Sequence, residues 1–209
     1  AVVYTRSELK TVPDDAQRLF GVFAHNHTFN DKTEEELRDE GLPLYKPDAP
    51  DVGEMTEAAL KVLSRKGKQF LLVVEEEGTD NFGNINNAAG TIEAMKRADR
   101  AYGVALDYLK NHPDTLVLTA ADSDAGGLEV IAAPMDYATK PVPAKMTNGA
   151  PLDGAQGTET LPFIAQPDQF GNRMPFGIAW SGTDDGAGGI LVRAAGINAE
   201  ALRSGSCDN

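Results

Sequence analysis

Short runs of apolar residues alternate along the chain with segments whose apolar residues recur every three or four positions. Spacings of three and four place side chains on one face of a helix, and they predict helices over residues 51–65 and 91–110. Asp51 and Glu54 stand at the spacing of a capping box, which indicates that the first of these helices begins there. Continuous apolar runs are instead typical of strands that are covered on both faces.

These apolar runs predict buried strands in both halves of the chain. The clearest two cover residues 69–75 and 115–122, and each ends in an acidic residue. Shorter strands are expected at residues 1–5, 19–24, 128–134 and 189–196. Strands that alternate with helices favour an α/β domain with a largely parallel sheet flanked by helices. Residues 135–188 are rich in Pro, Gly, Asp and Gln, and they predict a long loop-rich segment within a single domain, 1–209.

Composition and charge limit the classes of partner. The 209 residues carry 19 Lys and Arg against 32 Asp and Glu, a formal net charge of −13 at pH 7. This balance argues against binding to nucleic acid, which depends on Lys and Arg neutralising phosphates. No apolar run is long enough to span a membrane. The single Cys207 excludes an intrachain disulfide, and a chain that begins at Ala1 is compatible with a mature secreted protein, a processed product or a piece of a longer parent.

Carboxylates collect at the predicted carboxyl ends of two strands, which is the edge where ligands bind in open α/β sheets. The first strand leads to Glu75 and, five residues later, to Asp80, and the second strand leads to Asp122. Like charges at one edge repel each other unless a cation or a proton compensates them. The pattern therefore predicts a divalent cation, and the alternative is a set of solvated loop acids.

The whole pattern resembles the alkaline phosphatase family. The resemblance is closest over residues 54–130, from EMTEAALKVLSRKGKQFLLVVEEEGTDN to TLVLTAADSDAGGLEV, and it extends more loosely to YTRSEL, LFGVFA and GILVRAAG. It covers most of this chain but only the C-terminal half of a typical family member. It implies an alkaline-phosphatase-like but incomplete fold, a phosphomonoester as ligand, and a periplasmic or secreted location.

The resemblance also implies which residues hold metal. In a VEGGRIDHxxH-like run of the family, the Glu binds magnesium, while the Asp and the later His bind zinc. Glu75 and Asp80 match the two acids, and Asn84 stands at the position of the histidine. In the family's TADH motif the Asp and the His bind a second zinc ion. Asp122 matches that Asp, and Ser123 replaces the His.

A third zinc-binding histidine of the family falls nearest Asp185, in GTDDGAGGILVRAAG, so all three imidazole positions are substituted. The family's N-terminal half, which supplies the Asp-Ser-Ala nucleophile motif and a phosphate-clamping arginine, has no counterpart here. Asn, Ser and Asp offer oxygen donors, which Mg²⁺ and Ca²⁺ prefer, whereas Zn²⁺ favours imidazole and thiolate. If a metal site survives, we expect it to bind Mg²⁺ or Ca²⁺ rather than Zn²⁺. The alternative is that the sequence drifted after activity was lost and that no metal is bound.

Three functions stay open at this point. The first is a divergent or partial alkaline phosphatase homologue with a degenerate metal site and without autonomous phosphomonoesterase activity. The second is a metal-dependent phosphomonoester hydrolase completed by another chain or by a missing N-terminal half. The third is a cation- or phosphate-binding module. Strands that pair with an absent half would leave an open edge, so we expect a homo-oligomer, a complementary chain or self-coverage by residues 135–188.

The histidines and the tryptophan have structural interpretations. His25 and His27 lie in a polar segment and are expected to face solvent. His112 lies at the end of a predicted helix, where the helix dipole favours a positive charge. Trp180 is expected to pack in the core or at a hinge.

Overall fold

A computed structural model describes residues 1–65, 67–133 and 138–202, so Cys207 lies outside the described residues. The helices α1 to α5 cover Arg6–Lys10, Glu34–Glu40, Val52–Ser64, Gly78–Asn84 and Ala88–Asn111, and a 3-10 helix covers Ala199–Leu202. The strands β1 to β9 cover Val2–Val3, Phe20–Gly21, Leu116–Thr119, Leu128–Ala132, Leu152–Gly154, Gly157–Thr158, Phe163–Ile164, Pro175–Trp180 and Arg193–Gly196. None of the helices within the described ranges has the length and apolar character that a membrane span requires.

The two long helices lie where the sequence predicts them. The Asp51 side chain accepts a hydrogen bond from the backbone N–H of Glu54, and the Glu54 side chain accepts one from the backbone N–H of Asp51, so the capping box of α3 is complete. The start of α5 lies at Ala88 rather than at residue 91, because buried Asn87 caps it by accepting a hydrogen bond from Gly90 N at 2.6 Å. The predictions of α3 and α5 are confirmed.

Two shorter helices, α2 and α4, lie in segments where the apolar spacing predicts no helix. Thr33 and Glu36 form a second capping box at the start of α2. By contrast, Glu77 makes no side-chain cap hydrogen bond at the start of α4, and the helix contains two glycines and two asparagines. These residues have low helix propensity, which explains why no pattern predicted α4. Tertiary packing stabilises it instead, because Phe82 is 0% exposed and packs against Phe29.

The strands form small sheets rather than one large parallel sheet. Strands β1 and β2 pair in parallel, and β3 pairs with β9 in antiparallel fashion. The largest sheet in the described chain is antiparallel, with strand order β4-β8-β5-β6 and with β7 also pairing with β8. The combination of helices and sheets fits an α/β fold, but the prediction of a largely parallel sheet is not confirmed.

Several apolar runs that were predicted to be buried are exposed. Residues 69–75 form no strand, and Leu71 and Val73 are 87% and 81% exposed. Leu118 of β3 is 52% exposed, and Phe20 of β2 is 64% exposed. The prediction of burial is wrong for these residues, because no element within the described ranges covers them.

Residues 135–188 are also more ordered than predicted, because their described part contains β5, β6, β7 and β8. Strand β8 carries Ile178 and Trp180, which pack with Ala88 at the start of α5. The indole Nε1–H of Trp180 donates a hydrogen bond to Asp153 Oδ2 at 2.6 Å. Trp180 is only 2% exposed, so its predicted role in the core is confirmed. This sheet therefore packs beside the junction of α4 and α5.

Candidate functional site

Helix α4 meets two loops, the one that follows β3 and the one that follows β8. Backbone hydrogen bonds join the two loops, with Gly186 N donating to Ala125 O at 3.2 Å and Ser181 N donating to Gly126 O at 3.0 Å. Gly126 lies so close to α4 that a Cβ atom there would stand 2.2 Å from the carbonyl oxygen of Gly83. Only glycine fits at such a distance, and this close approach brings the acidic residues of the three segments together.

Asn84 is the centre of a small hydrogen-bonded group. Asp80 and Asn84 are four positions apart on α4, so their side chains lie on the same face of the helix. The amide Nδ2 of Asn84 donates to Asp80 Oδ1 at 3.3 Å and to Asp185 Oδ1 at 2.8 Å. The amide Oδ1 of Asn84 is buried and has no hydrogen-bond partner within the described residues. A buried acceptor without a donor destabilises the fold.

The acids of this group perturb each other's pKa. Burial raises the pKa of Asp80, and the negative charges of Asp185 and Asp122 raise it further. The hydrogen bond from Asn84 lowers the pKa of Asp185, and a hydrogen bond with Ser123 acts in the same direction. Of Asp80 and Asp185, Asp80 would therefore be the first to take up a proton as the pH falls. The concentration of negative charge favours a proton or a cation at this point.

Glu75 lies near this group but is not part of its hydrogen-bond network. Glu75 is exposed, and it neighbours Glu77. Burial raises the pKa of Glu77, and the charges of Glu75 and Asp80 add to that effect. Glu77 thus connects Glu75 electrostatically to Asp80. Glu77 was not predicted from the sequence, although its place in the run of three glutamates was a signal for it.

The middle glutamate of that run turns into the protein and anchors the start of α4. Glu76 Oε1 accepts hydrogen bonds from the Tyr45 hydroxyl at 2.8 Å and from Gly78 N at 3.2 Å. The Arg97 guanidinium lies over the Tyr45 ring, 3.4 Å from its centroid. Burial raises the pKa of Glu76, although the hydrogen bond from Tyr45 acts against this. These contacts hold the first turn of α4 and thereby position Asp80.

The structure brings most of the predicted metal-binding residues together, but it does not form a closed metal site. Within the described ranges, no group of three or more His, Cys, Asp or Glu side chains is arranged to hold a metal ion. Asp80, Asn84, Asp185 and Ser123 share hydrogen bonds, Asp122 acts electrostatically on Asp80, and Glu75 stands apart. The side chains of this group offer oxygen atoms and the Asn84 amide, and none of them is an imidazole or a thiolate.

The described chain is thus an α/β protein in which acidic side chains and Asn84 form a hydrogen-bonded cluster beside α4. The profile of the alkaline phosphatase family matches residues 1–152. The chain belongs to the alkaline phosphatase family.

Individual relatives support this assignment, and this chain matches only part of the length of each. Alkaline phosphatase 3 of Bacillus subtilis is 34% identical over 95 residues, which cover 44% of this chain and 21% of that protein. The alkaline phosphatase of the Antarctic bacterium TAB5 superposes with a TM-score of 0.59 and 18% identity, over 96% of this chain and 46% of that one. A TAB5 variant with a histidine replaced by aspartate, solved with Mg bound in its M3 site, gives a TM-score of 0.51 at 22% identity, over 83% of this chain and 46% of that one. The chain thus spans less than half the length of these relatives.

Proposed function

We propose that this chain is a divergent alkaline phosphatase homologue that binds Mg²⁺ or Ca²⁺ through a degenerate metal site and has no phosphomonoesterase activity of its own. The observation that carries this proposal is the environment of Asn84. Its Nδ2 donates to Asp80 and Asp185, while its Oδ1 is buried without a partner. By resemblance, Asn84 stands where the family has a zinc-binding histidine.

The chemistry of the amide explains the proposed preference. An imidazole nitrogen offers a lone pair to Zn²⁺, whereas an amide nitrogen offers only hydrogens and the amide oxygen is the sole ligand atom. A rotation of the Asn84 amide would turn Oδ1 towards Asp80 and Asp185. A hard cation between them would then replace the hydrogen bonds that Nδ2 now makes. The TAB5 variant in which an aspartate replaces a histidine was solved with Mg bound, and this supports the same preference by analogy.

The proposed lack of activity rests on what the chain does not supply. By resemblance, the family draws its serine nucleophile from an Asp-Ser-Ala motif, and no such triplet occurs in this sequence. In two-metal phosphatases the ions activate the nucleophile and stabilise the leaving oxygen, so a chain without the nucleophile motif lacks the group on which the ions of this family act. A phosphomonoester remains a candidate ligand of the cation, and the family resemblance favours a periplasmic or secreted location.

A second function has an observation in its favour. The exposed apolar residues at 69–75 would be covered if another polypeptide completed the fold. In that case the chain would be one part of a metal-dependent phosphomonoester hydrolase, with Asp122 among its metal ligands. A module that only binds a cation or a phosphate group is a third candidate, and it shares the same site.

An assay of a generic phosphomonoester, such as p-nitrophenyl phosphate, tests the proposal. The purified chain is assayed with added Zn²⁺, Mg²⁺ and Ca²⁺, next to the variant Asp122→Ala. We expect no turnover above that of the buffer for either protein with any of the three ions. Turnover that requires a metal and is abolished by Asp122→Ala would refute the inactive assignment and favour the second function.

A further inference from the structure

Residues 31–40, which contain α2, attach to the start of α5 through polar contacts; we refer to them as the α2 segment. The carboxyl oxygen Oε1 of Glu34 accepts a hydrogen bond from the backbone N–H of Ala89 at 3.0 Å. Asn87, which caps α5, donates from Nδ2 to the backbone carbonyl oxygen of Lys32 at 2.7 Å. Each contact joins residues that are 55 positions apart, so both fix the α2 segment in the tertiary structure.

The α2 segment also contacts the hairpin of β5 and β6. Glu35 Oε1 accepts a hydrogen bond from the backbone N–H of Thr158 at 2.8 Å, and Arg38 Nη1 donates to the carbonyl oxygen of Gln156 at 3.3 Å. The one apolar residue of α2 is Leu37, which is buried. Because a single apolar side chain removes little surface from water, the docking of α2 depends on these polar contacts as well.

Two buried carboxyl groups lie where the α2 segment meets the rest of the chain. Glu34 is 8% exposed and Asp153 of β5 is 4% exposed. Asp153 Oδ2 accepts a hydrogen bond from the indole of Trp180 at 2.6 Å. The charges that act on the two groups from neighbouring residues are negative, because Glu35 acts on both of them and Asp153 acts on Glu34. Like charges at this point repel each other when both groups are ionised.

The second oxygen of Glu34 favours a neutral carboxyl group. Oε2 is buried and has no hydrogen-bond partner among the described residues. A buried charge without a partner is costly, and a protonated carboxyl group avoids that cost. Burial raises the pKa of Glu34 to about 7 and that of Asp153 to about 6, although the N–H groups of Ala89 and Trp180 act against this. Both groups are therefore neutral at pH 5 and ionised at pH 8.

The α2 segment is also connected to the helix that carries Asp80. Asp31 Oδ2 accepts a hydrogen bond from Asn81 Nδ2 of α4 at 3.0 Å. Asn87, which donates to Lys32, lies in the connection between α4 and α5. Release of the α2 segment would remove both hydrogen bonds, so it would loosen the end of α4.

We propose that the α2 segment is a pH-sensitive switch, docked on α5 and on the β5–β6 hairpin while Glu34 and Asp153 are protonated and released when both ionise. Release removes Glu34 from its buried position and separates it from Asp153, so each charge regains water. The order of α4 then depends on pH through Asp31 and Lys32. This inference is independent of the proposed function, because it requires neither a bound metal nor catalysis.

The size of the effect follows from Glu34 alone. In the released segment its pKa returns from about 7 to the ordinary value of 4.5. Because each unit of pKa corresponds to a tenfold change in proton affinity, a rise from pH 5 to pH 8 should favour release by roughly 50- to 100-fold. The ionisation of Asp153 adds to this factor.

Amide hydrogen exchange, followed residue by residue by NMR without added metal, tests the proposal. After correction for the intrinsic effect of pH, the protection of the amides of α2 should fall by roughly 50- to 100-fold between pH 5 and pH 8. At pH 8 these amides should exchange at least about tenfold faster than those of α3, because release is local and precedes global unfolding. The amides at the end of α4 should lose protection together with those of α2.

Two variants and a control show whether the buried carboxyl groups are responsible. Glu34→Gln keeps the acceptor for Ala89 N without the charge, so it should abolish most of the pH dependence, and the addition of Asp153→Asn should abolish the remainder. Glu57→Gln makes the same change at an exposed position of α3 and should leave the pH dependence intact. Protection of α2 that is independent of pH, a loss that persists in the double variant, or equal exchange of α2 and α3 at pH 8 would overturn the proposal.

Discussion

Replacing the buried Glu34 by glutamine should stabilise the protein at alkaline pH. Glu34 is only 8% exposed; its Oε1 accepts a hydrogen bond from Ala89 N at 3.0 Å, while its Oε2 is buried without a partner among the described residues. Burial raises the pKa of Glu34 from an ordinary value of 4.5 to about 7, and the negative charges of Asp153 and Glu35 add to this. The folded state therefore holds Glu34 best in its neutral form.

The sign and size of the effect follow from this pKa. An acid whose pKa is raised on folding carries no penalty at pH values below its unfolded pKa. The cost in stability grows as the pH rises from the unfolded pKa to the folded pKa, and it stays constant above that. Because a tenfold change in proton affinity corresponds to about 1.4 kcal/mol, ionised Glu34 costs about 3 kcal/mol at pH 8. Glutamine keeps the acceptor for Ala89 N and carries no charge, so Glu34→Gln should recover most of that amount at pH 8 and little at pH 5.

Urea denaturation at pH 5 and pH 8 measures this directly. The wild-type chain should lose stability between these two values, and Glu34→Gln should lose less by about 3 kcal/mol. The control Glu57→Gln makes the same chemical change at an exposed position of α3 and should alter the free energy of unfolding by less than about 0.5 kcal/mol. A difference in the free energy of unfolding between Glu34→Gln and wild type that is the same at both pH values would contradict this prediction.

Three further substitutions test other parts of the structure. Asn84→His should raise the affinity for Zn²⁺ relative to Mg²⁺ in a competition titration, because it adds an imidazole beside two carboxylates; an unchanged preference would contradict this. Trp180→Phe removes the indole N–H that donates to buried Asp153, whose pKa is raised to about 6. It should lower the free energy of unfolding by about 2 kcal/mol, and by more at pH 8 than at pH 5, because Asp153 is ionised at the higher pH. Gly126→Ala should destabilise by about 1–3 kcal/mol in urea denaturation, because its Cβ would stand 2.2 Å from a backbone oxygen. As a control with the opposite sign, Gly103→Ala should stabilise the protein by up to about 1 kcal/mol, because a Cβ atom at this position of α5 would meet no other atom within 4 Å.

The parts of the fold that depend on local chemistry could be predicted from the sequence. The capping box of Asp51 and Glu54 and the apolar spacing along α5 act within a few residues, and both helices are confirmed. Helix α4 could not be predicted in this way. It contains residues of low helix propensity, and it depends on the burial of Phe82 against residues distant in the sequence.

The parts that depend on other segments were predicted less well. The apolar pattern of residues 69–75 indicates burial, yet Leu71 and Val73 are exposed because the described chain contains nothing to cover them. Strands β5, β6 and β7 are only two or three residues long, too short for a periodic signal. In the candidate site, the spacing of Asp80 and Asn84 could be read from the sequence. Their contact with Asp185 depends on the close approach of Gly126 to α4, which no local pattern encodes.

A calorimetric titration of the metal-free chain with Mg²⁺, Ca²⁺ and Zn²⁺ shows whether the group of Asp80, Asn84 and Asp185 binds a hard cation. We expect one site that binds Mg²⁺ or Ca²⁺ more tightly than Zn²⁺ and that is lost in Asp80→Asn and in Asp185→Asn. Tighter, stoichiometric binding of Zn²⁺ to the wild-type chain, or no binding of any of the three ions, would contradict it.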